Sequence, residues 1–181
     1  MKKLQETQAF AYTLSSLPHN NIIMVECPDI VKCAIDQSLK DMGLEVVLRP
    51  KQEEAIRSIV KGKDTLVLLP TASGKTLIFQ ILPFLLANIN SVDETVFTDN
   101  PIVVVISPLV ALIEDQLNSC KNLGIEALKV DSQSIKSKNL KCQILFSSPE
   151  FWTGDGGRDF LLFYKKDIAC IVVDECHRVI W

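Results

Sequence analysis

A chain of 181 residues, 48% apolar and 23% charged, has the composition of one globular domain and excludes a disordered segment. A net charge of −3 gives no overall basic footprint, so composition lends nucleic-acid binding no support, although a local basic groove is compatible with it. No apolar run approaches the roughly 18 residues of a membrane span. The two lysines near Met1 have no unbroken apolar stretch behind them, so an intracellular protein without a secretory signal or membrane partner is expected.

In chain order, residues 1–28 match no known pattern. Segment 29–42 has apolar residues at helical spacing (Ile30, Ala34, Ile35, Leu39, Met42) and stops at Gly43. Residues 50–62 form a second predicted helix, with Pro50 at its start and Gly62 at its end. The run "TLVLLP" predicts a strand covered on both faces. From Gly74 the composition is helical, with Pro83 expected to interrupt it. Residues 90–100 read as an exposed loop, "PIVVVIS" as a second strand, and "LVALIEDQLNSCKNLG" as a helix closed by Gly124. "IEALKV" and "CQILFSS" are further strands on either side of a polar loop, "DSQSIKSKN". "GDGGRD" reads as a turn, "FLLFYKKD" as a short helix and "IACIVVD" as a fifth strand. Buried strands alternating with helices predict an α/β fold, a doubly wound and mainly parallel sheet. Cys27, Cys33, Cys120, Cys142, Cys170 and Cys176 form no C-x-x-C pair and read as reduced, mostly buried thiols rather than zinc ligands.

Two stretches carry chemistry. "LLPTASGKT", Leu68 to Thr76, lies between a predicted strand and a predicted helix. A phosphate-binding loop needs that context, a tight turn, converging backbone N–H groups and a cation. Gly74 permits close approach, Lys75 is expected as a solvent-facing contact to the β- and γ-phosphates, and Thr76 offers a hydroxyl to Mg²⁺. A helix start with a solvated lysine is the competing interpretation, and the usual opening glycine is replaced by Leu69. Downstream, a buried strand runs into Asp174 and Glu175. Asp174 suits a metal-holding acid and Glu175 a general base for an attacking water. Both stretches should end at the carboxyl edge of the sheet, where open α/β sheets bind ligands.

These residues resemble superfamily 2 helicases. Asp174-Glu175-Cys176-His177 is similar to their D-E-x-H box, and "LLPTASGKT" resembles their motif I, in which the first glycine is often absent. Ala72 stands where many members have glycine; a positive φ there would cost alanine about 1 kcal/mol. "LRPKQEEAI" (48–56) resembles the RecQ-type motif whose glutamine reads adenine, a role that falls on Gln52 with Arg49 nearby; an ordinary exposed helix residue is the alternative. "SPLVALIEDQ" (107–116) resembles the RecQ form of motif Ia, which lies against nucleic acid, and "SSPE" (147–150) the family's Pro-Glu motif.

The resemblance covers about residues 45–181. It implies a RecA-like P-loop NTPase lobe over residues 29–181, following an N-terminal extension of unknown role. ATP and Mg²⁺ are the implied cofactors, with Thr71, Ala72, Ser73, Gly74, Lys75 and Thr76 at the nucleotide, Thr76 and Asp174 at the metal, and Lys75, Asp174, Glu175 and His177 catalytic. Ser107, Pro108, Leu109, Ser148 and Glu150 fall at the implied nucleic-acid face; for Ser107 a strand-end cap and for Glu150 a helix cap are the plainer alternatives. Lys136, Lys138 and Lys141 read as a solvated loop. The implied partner is single-stranded or partly duplex DNA, and the implied location the nucleus. A second RecA-like lobe and its arginine finger are expected to be missing from this chain. Cys176 stands where RecQ-type proteins usually have alanine, and only Trp181 represents their aromatic-rich loop. The implied function is a 3′–5′ ATP-dependent DNA helicase; a truncated non-catalytic nucleotide- or nucleic-acid-binding module is the alternative, and a small-molecule phosphotransferase is disfavoured by "SPLVALIEDQ".

Overall fold

The computed structural model describes residues 28–70, 72–91, 100–131 and 141–175, with the backbone of residues 7–13. The predicted loops fall largely at 92–99 and 132–140, outside the described residues, and so do Thr71, Cys176, His177 and Trp181.

The first described element is strand β1 (Thr7–Thr13). Helix α1 (Pro28–Asp41) buries Val31, Ala34, Ile35 and Leu39 along one stripe. Its buried polar residue, Ser38, is satisfied: its hydroxyl donates to the Ala34 carbonyl at 2.6 Å and accepts from Asn88 Nδ2 at 3.0 Å. Helix α2 (Pro50–Val60) starts at the predicted proline and buries Ala55, Ile56, Ile59 and Val60. Strand β2 (Thr65–Pro70) leads through the phosphate-type loop into α3 (Lys75–Gln80). The helical run breaks at Ile81, and α4 (Leu82–Asn90) begins with Pro83 in its first turn, where a missing N–H is harmless. Strand β3 (Ile102–Ile106), helix α5 (Val110–Asn122), strand β4 (Ala127–Lys129) and strand β5 (Ile144–Ser147) follow. Helices α6 (Pro149–Thr153) and α7 (Asp155–Tyr164) precede the last strand, β6 (Ile168–Val173).

The strands form one sheet in the order β2-β1-β6-β3-β5-β4. The four strands from β6 to β4 pair in parallel, and β1 alone is antiparallel to both its neighbours. Because β1 reverses direction between them, β2 runs the same way as β6, and the carboxyl ends of β2, β6, β3 and β5 all point to one edge. Alternate strand residues feed two cores. Val103, Val105, Ile144, Phe146, Cys170 and Val172 pack with apolar residues of α1 to α5, including an edge-to-face pair of Phe79 and Phe146 at 6.2 Å. Ile102, Val104, Leu145 and Ile168 pack on the opposite face with Phe151, Phe160 and Tyr164 of α6 and α7. The result is the expected α/β architecture, a mostly parallel sheet with helices on both faces.

Two local expectations are corrected. Strand β2 is not covered on both faces: Leu66 and Leu68 are 63% and 53% exposed, because β2 is an edge strand whose helix-covered face is that of Val67 and Leu69. Its apolar run reads like a central strand, but its position in the sheet decides its burial. "GDGGRD" is not a turn; α7 begins at Asp155 and includes Gly156 and Gly157. A Cβ on Gly157 would sit 2.4 Å from the Phe151 carbonyl oxygen and 2.7 Å from the Trp152 Cα, so close packing on α6 requires glycine there at the expense of helix propensity. Helix α6 falls in a stretch, 149–153, that no predicted element covers.

Candidate nucleotide site

The loop after β2 doubles back at once. Ser73 N donates to the Pro70 carbonyl at 3.2 Å, and Ala72 and Gly74 are both left-handed, at φ 59° and 79°. Gly74 caps α3, and a Cβ there would lie 2.8 Å from Gln52 Nε2, so both backbone angle and space demand glycine. Ala72 takes the unfavourable conformation anticipated from its position, at a cost of about 1 kcal/mol. Backbone N–H groups in such alternating turns form a concavity suited to an anion. Thr76 is half-buried. Ser73 is buried, and its Oγ has no hydrogen-bond partner among the described residues.

Lys75 departs from the expected solvent-facing position: it is 5% exposed, and its Nζ donates to the Leu69 carbonyl at 3.3 Å. The loop folds over the side chain, and a buried ammonium must find acceptors. Desolvation lowers its pKa below the ordinary lysine value, while the charges of Glu175 and then Asp174 pull it back up.

Asp174 follows β6 at the same sheet edge and is 1% exposed. Its N–H donates to the Ile106 carbonyl at 2.9 Å, and its Oδ2 accepts from Gln116 Nε2 at 3.0 Å. Burial pushes its pKa up to about 6; the hydrogen bond from Gln116 and the Lys75 charge oppose that rise, and the neighbouring Glu175 charge adds to it. Asp174 Oδ1, buried, has no partner among the described residues. Glu175 is 4% exposed and left-handed at φ 51°. Strain of this kind in a non-glycine residue concentrates at functional sites. A buried acid with an unused oxygen, a half-buried hydroxyl at Thr76 and a nearby ammonium fit a divalent cation held together with a phosphate.

Gln52 is not an exposed helix residue. It is 4% exposed and bridges two elements: its Oε1 accepts from Arg49 N at 2.7 Å, and its Nε2 donates to the Gly74 and Ser73 carbonyls at 2.9 and 3.3 Å. The amide thereby ties the start of α2 to the phosphate-type loop.

Ser107, Pro108 and Leu109 leave β3 beside Ser148 and Glu150, which leave β5, because the two strands are parallel neighbours. Ser107 is fully buried, its N–H on the Ser147 carbonyl at 2.9 Å and its Oγ without a partner among the described residues. Leu109 and Glu150 are exposed; Pro108 and Ser148 are half-buried. A hydrogen bond from the Ser148 hydroxyl holds the Glu150 carboxyl below its ordinary pKa. The residue that sequence reasoning missed is Gln116, the last of "SPLVALIEDQ". Its signal was available: it lies three residues after Ile113 and four before Cys120, on the buried stripe of α5, where a polar side chain must have a partner. Burial raises the thiols of Cys142 and Cys170 to about 11 and 12, which makes them unreactive packing groups.

Residues 49–180 match the DEAD/DEAH box helicase family. The chain is 31% identical over 138 residues to the ATP-dependent helicase wrn-1 of Caenorhabditis elegans, covering 72% of this chain and 12% of that protein. It is 32% identical over 145 residues to the ATP-dependent DNA helicase hus2/rqh1 of Schizosaccharomyces pombe, 72% of this chain and 10% of the relative. It is 33% identical over 149 residues to the human ATP-dependent DNA helicase Q4, 78% of this chain and 11% of that protein. The chain thus spans about a tenth of the length of these relatives. No helix among the described residues is long and apolar enough to cross a membrane. With its phosphate-type loop and its buried acid pair at one sheet edge, the chain belongs to the DEAD/DEAH box helicases, in their RecQ-like branch.

Proposed function

We propose that this chain is the ATP-binding lobe of a nuclear, RecQ-like, 3′–5′ DNA helicase that binds ATP with Mg²⁺ and acts on single-stranded or partly duplex DNA. The observation that carries the proposal is the buried triad of one ammonium and two carboxylates, Lys75 with Asp174 and Glu175, beneath a loop with left-handed turns at Ala72 and Gly74. An ammonium buried against two acids at a ligand-binding sheet edge is costly unless it serves a charged ligand.

In this reading the backbone N–H groups from Thr71 to Gly74 cradle the phosphates, and Lys75 swings from the Leu69 carbonyl to the terminal phosphates. Thr76 and Asp174 would hold Mg²⁺, which when bound neutralises the phosphate oxygens on which charge develops. Glu175 orients the attacking water and takes its proton, with His177 completing the box. Gln52 would read the adenine edge by giving up a Ser73 or Gly74 carbonyl contact, because one amide can donate and accept at once, and Arg49 lies beside it. Ser107, Pro108, Leu109, Ser148 and Glu150 line the DNA face.

An arginine from a second lobe is worth roughly 10³–10⁵ in rate in related NTPases. The 181-residue chain is therefore expected to bind Mg·ATP but to turn it over slower by that factor than a version extended through a second lobe. ATP turnover with and without single-stranded DNA, on both proteins, tests this. Lys75→Ala should remove most nucleotide affinity in each. Binding without DNA-stimulated turnover in the extended protein would favour a non-catalytic binding module; no nucleotide binding at all would overturn the site.

A further inference from the structure

We propose that Gln116 is a positioning residue for the metal-holding acid: its side-chain amide fixes the Asp174 carboxylate, so that the cation site is built partly on α5. This rests on the nucleotide-site reading above. The donor is unambiguous, since an ionised carboxylate only accepts and the opposite amide orientation would set two acceptors against each other. The contact, Gln116 Nε2 to Asp174 Oδ2 at 3.0 Å, is buried, with the two residues 6% and 1% exposed. It leaves two further acceptors, Gln116 Oε1 and Asp174 Oδ1, buried without partners among the described residues. Buried acceptors are ordinarily satisfied, and a hydrated cation brings water donors to both.

The bond also selects the geometry of Asp174. The Asp174 backbone is held by Ile106, so its position is set by the sheet, and Gln116, with the adjoining Glu175 backbone, fixes which way the carboxyl plane lies. Groups that orient a metal ligand from behind alter metal affinity by about 10- to 100-fold when removed. Gln116 reaches Asp174 from the helix whose N-terminal approach, Ser107 to Leu109, is the proposed DNA face. The same helix thus carries one end of each site.

The test is the Mg²⁺ requirement for nucleotide binding. A fluorescent, non-hydrolysable ATP analogue is bound to the 181-residue chain in EDTA and then titrated with Mg²⁺. Wild type is compared with Gln116→Met, which keeps volume but not the donor, and Gln116→Asn, which keeps the amide but is one methylene too short. Both variants should need about tenfold more Mg²⁺ or beyond, with metal-free analogue affinity within about twofold of wild type. If Gln116→Met gives no cooperative thermal melt, Gln116→Asn decides alone. An unchanged Mg²⁺ requirement, or equal losses with and without Mg²⁺, overturns the positioning role. Failure of wild type itself to bind the analogue would overturn the underlying nucleotide site instead.

Discussion

Asp174 is the residue whose environment conflicts most with its charge. Its folded pKa of about 6 lies above the ordinary 3.8, so the folded state holds the proton more tightly than the unfolded chain. The contribution to stability is therefore greatest below about pH 4 and is lost as pH rises through about 6. Ionising it in place costs on the order of 3 kcal/mol. Asp174→Asn, of nearly the same shape, should raise the melting temperature by several degrees at pH 8, and the gain should shrink toward none near pH 4. Thermal melts across that pH range check it; a gain independent of pH would mean that packing and not ionisation is responsible. Lys75 shows the same conflict with the opposite sign, eased by the Leu69 carbonyl and the two acids. Little of this was legible in the sequence. "GKT" and "DE" announce the right residue types, but burial of their charges arises from the loop folding over Lys75, a tertiary event that no local pattern encodes.

Among the elements, those with an unbroken apolar run and a central position were legible: β3, β5 and β6 bury nearly every side chain, and α5 shows its buried stripe at Ile113, Gln116 and Cys120. Helix α6 was not, and of α7 only the part from Phe160 onward was, because Gly156 and Gly157 signal a turn by propensity while contact with α6 demands glycine at Gly157. Gly157→Ala improves intrinsic helix propensity yet should destabilise the chain by about 1–3 kcal/mol, since a Cβ at 2.4 Å from the Phe151 carbonyl forces the helices apart. Chemical denaturation measures this, with near-ultraviolet circular dichroism reporting the packed group of Phe151, Trp152 and Phe160. A neutral or stabilising result would show that the two helices separate freely. Strand β1 escaped notice because Thr7–Thr13 mixes polar, small and aromatic residues with no apolar run. Its place in the sheet comes from pairing alone, which sets Phe10 opposite Val67 in register.

For the molecule as a whole, β1 is the tie between the two halves of the proposed nucleotide site. Strand β2, which leads into the phosphate-type loop, pairs with β1, and β1 pairs with β6, which ends at Asp174. Ala11 faces Leu66 on one side and Val173 on the other, so proline there removes a central ladder bond. Ala11→Pro should cost about 1–3 kcal/mol, the cost of leaving a ladder partner unsatisfied, and remove nucleotide affinity even where the rest of the sheet survives. Circular dichroism together with analogue binding checks this, and undiminished binding would show that β1 is dispensable. The pairing also sets a timetable. Of the described strands β1 leaves the ribosome first and β6 last, so the early strand must wait for the five later ones before Ala11 meets Val173. Contacts that span so much sequence form slowly, after local structure and against the entropy of closing a long loop. The parallel strands β3, β5 and β6 can assemble without this step, but β2 and the loop that carries Lys75 are tied to the Asp174 edge only once it is complete, so the two halves of the proposed nucleotide site are joined late in folding.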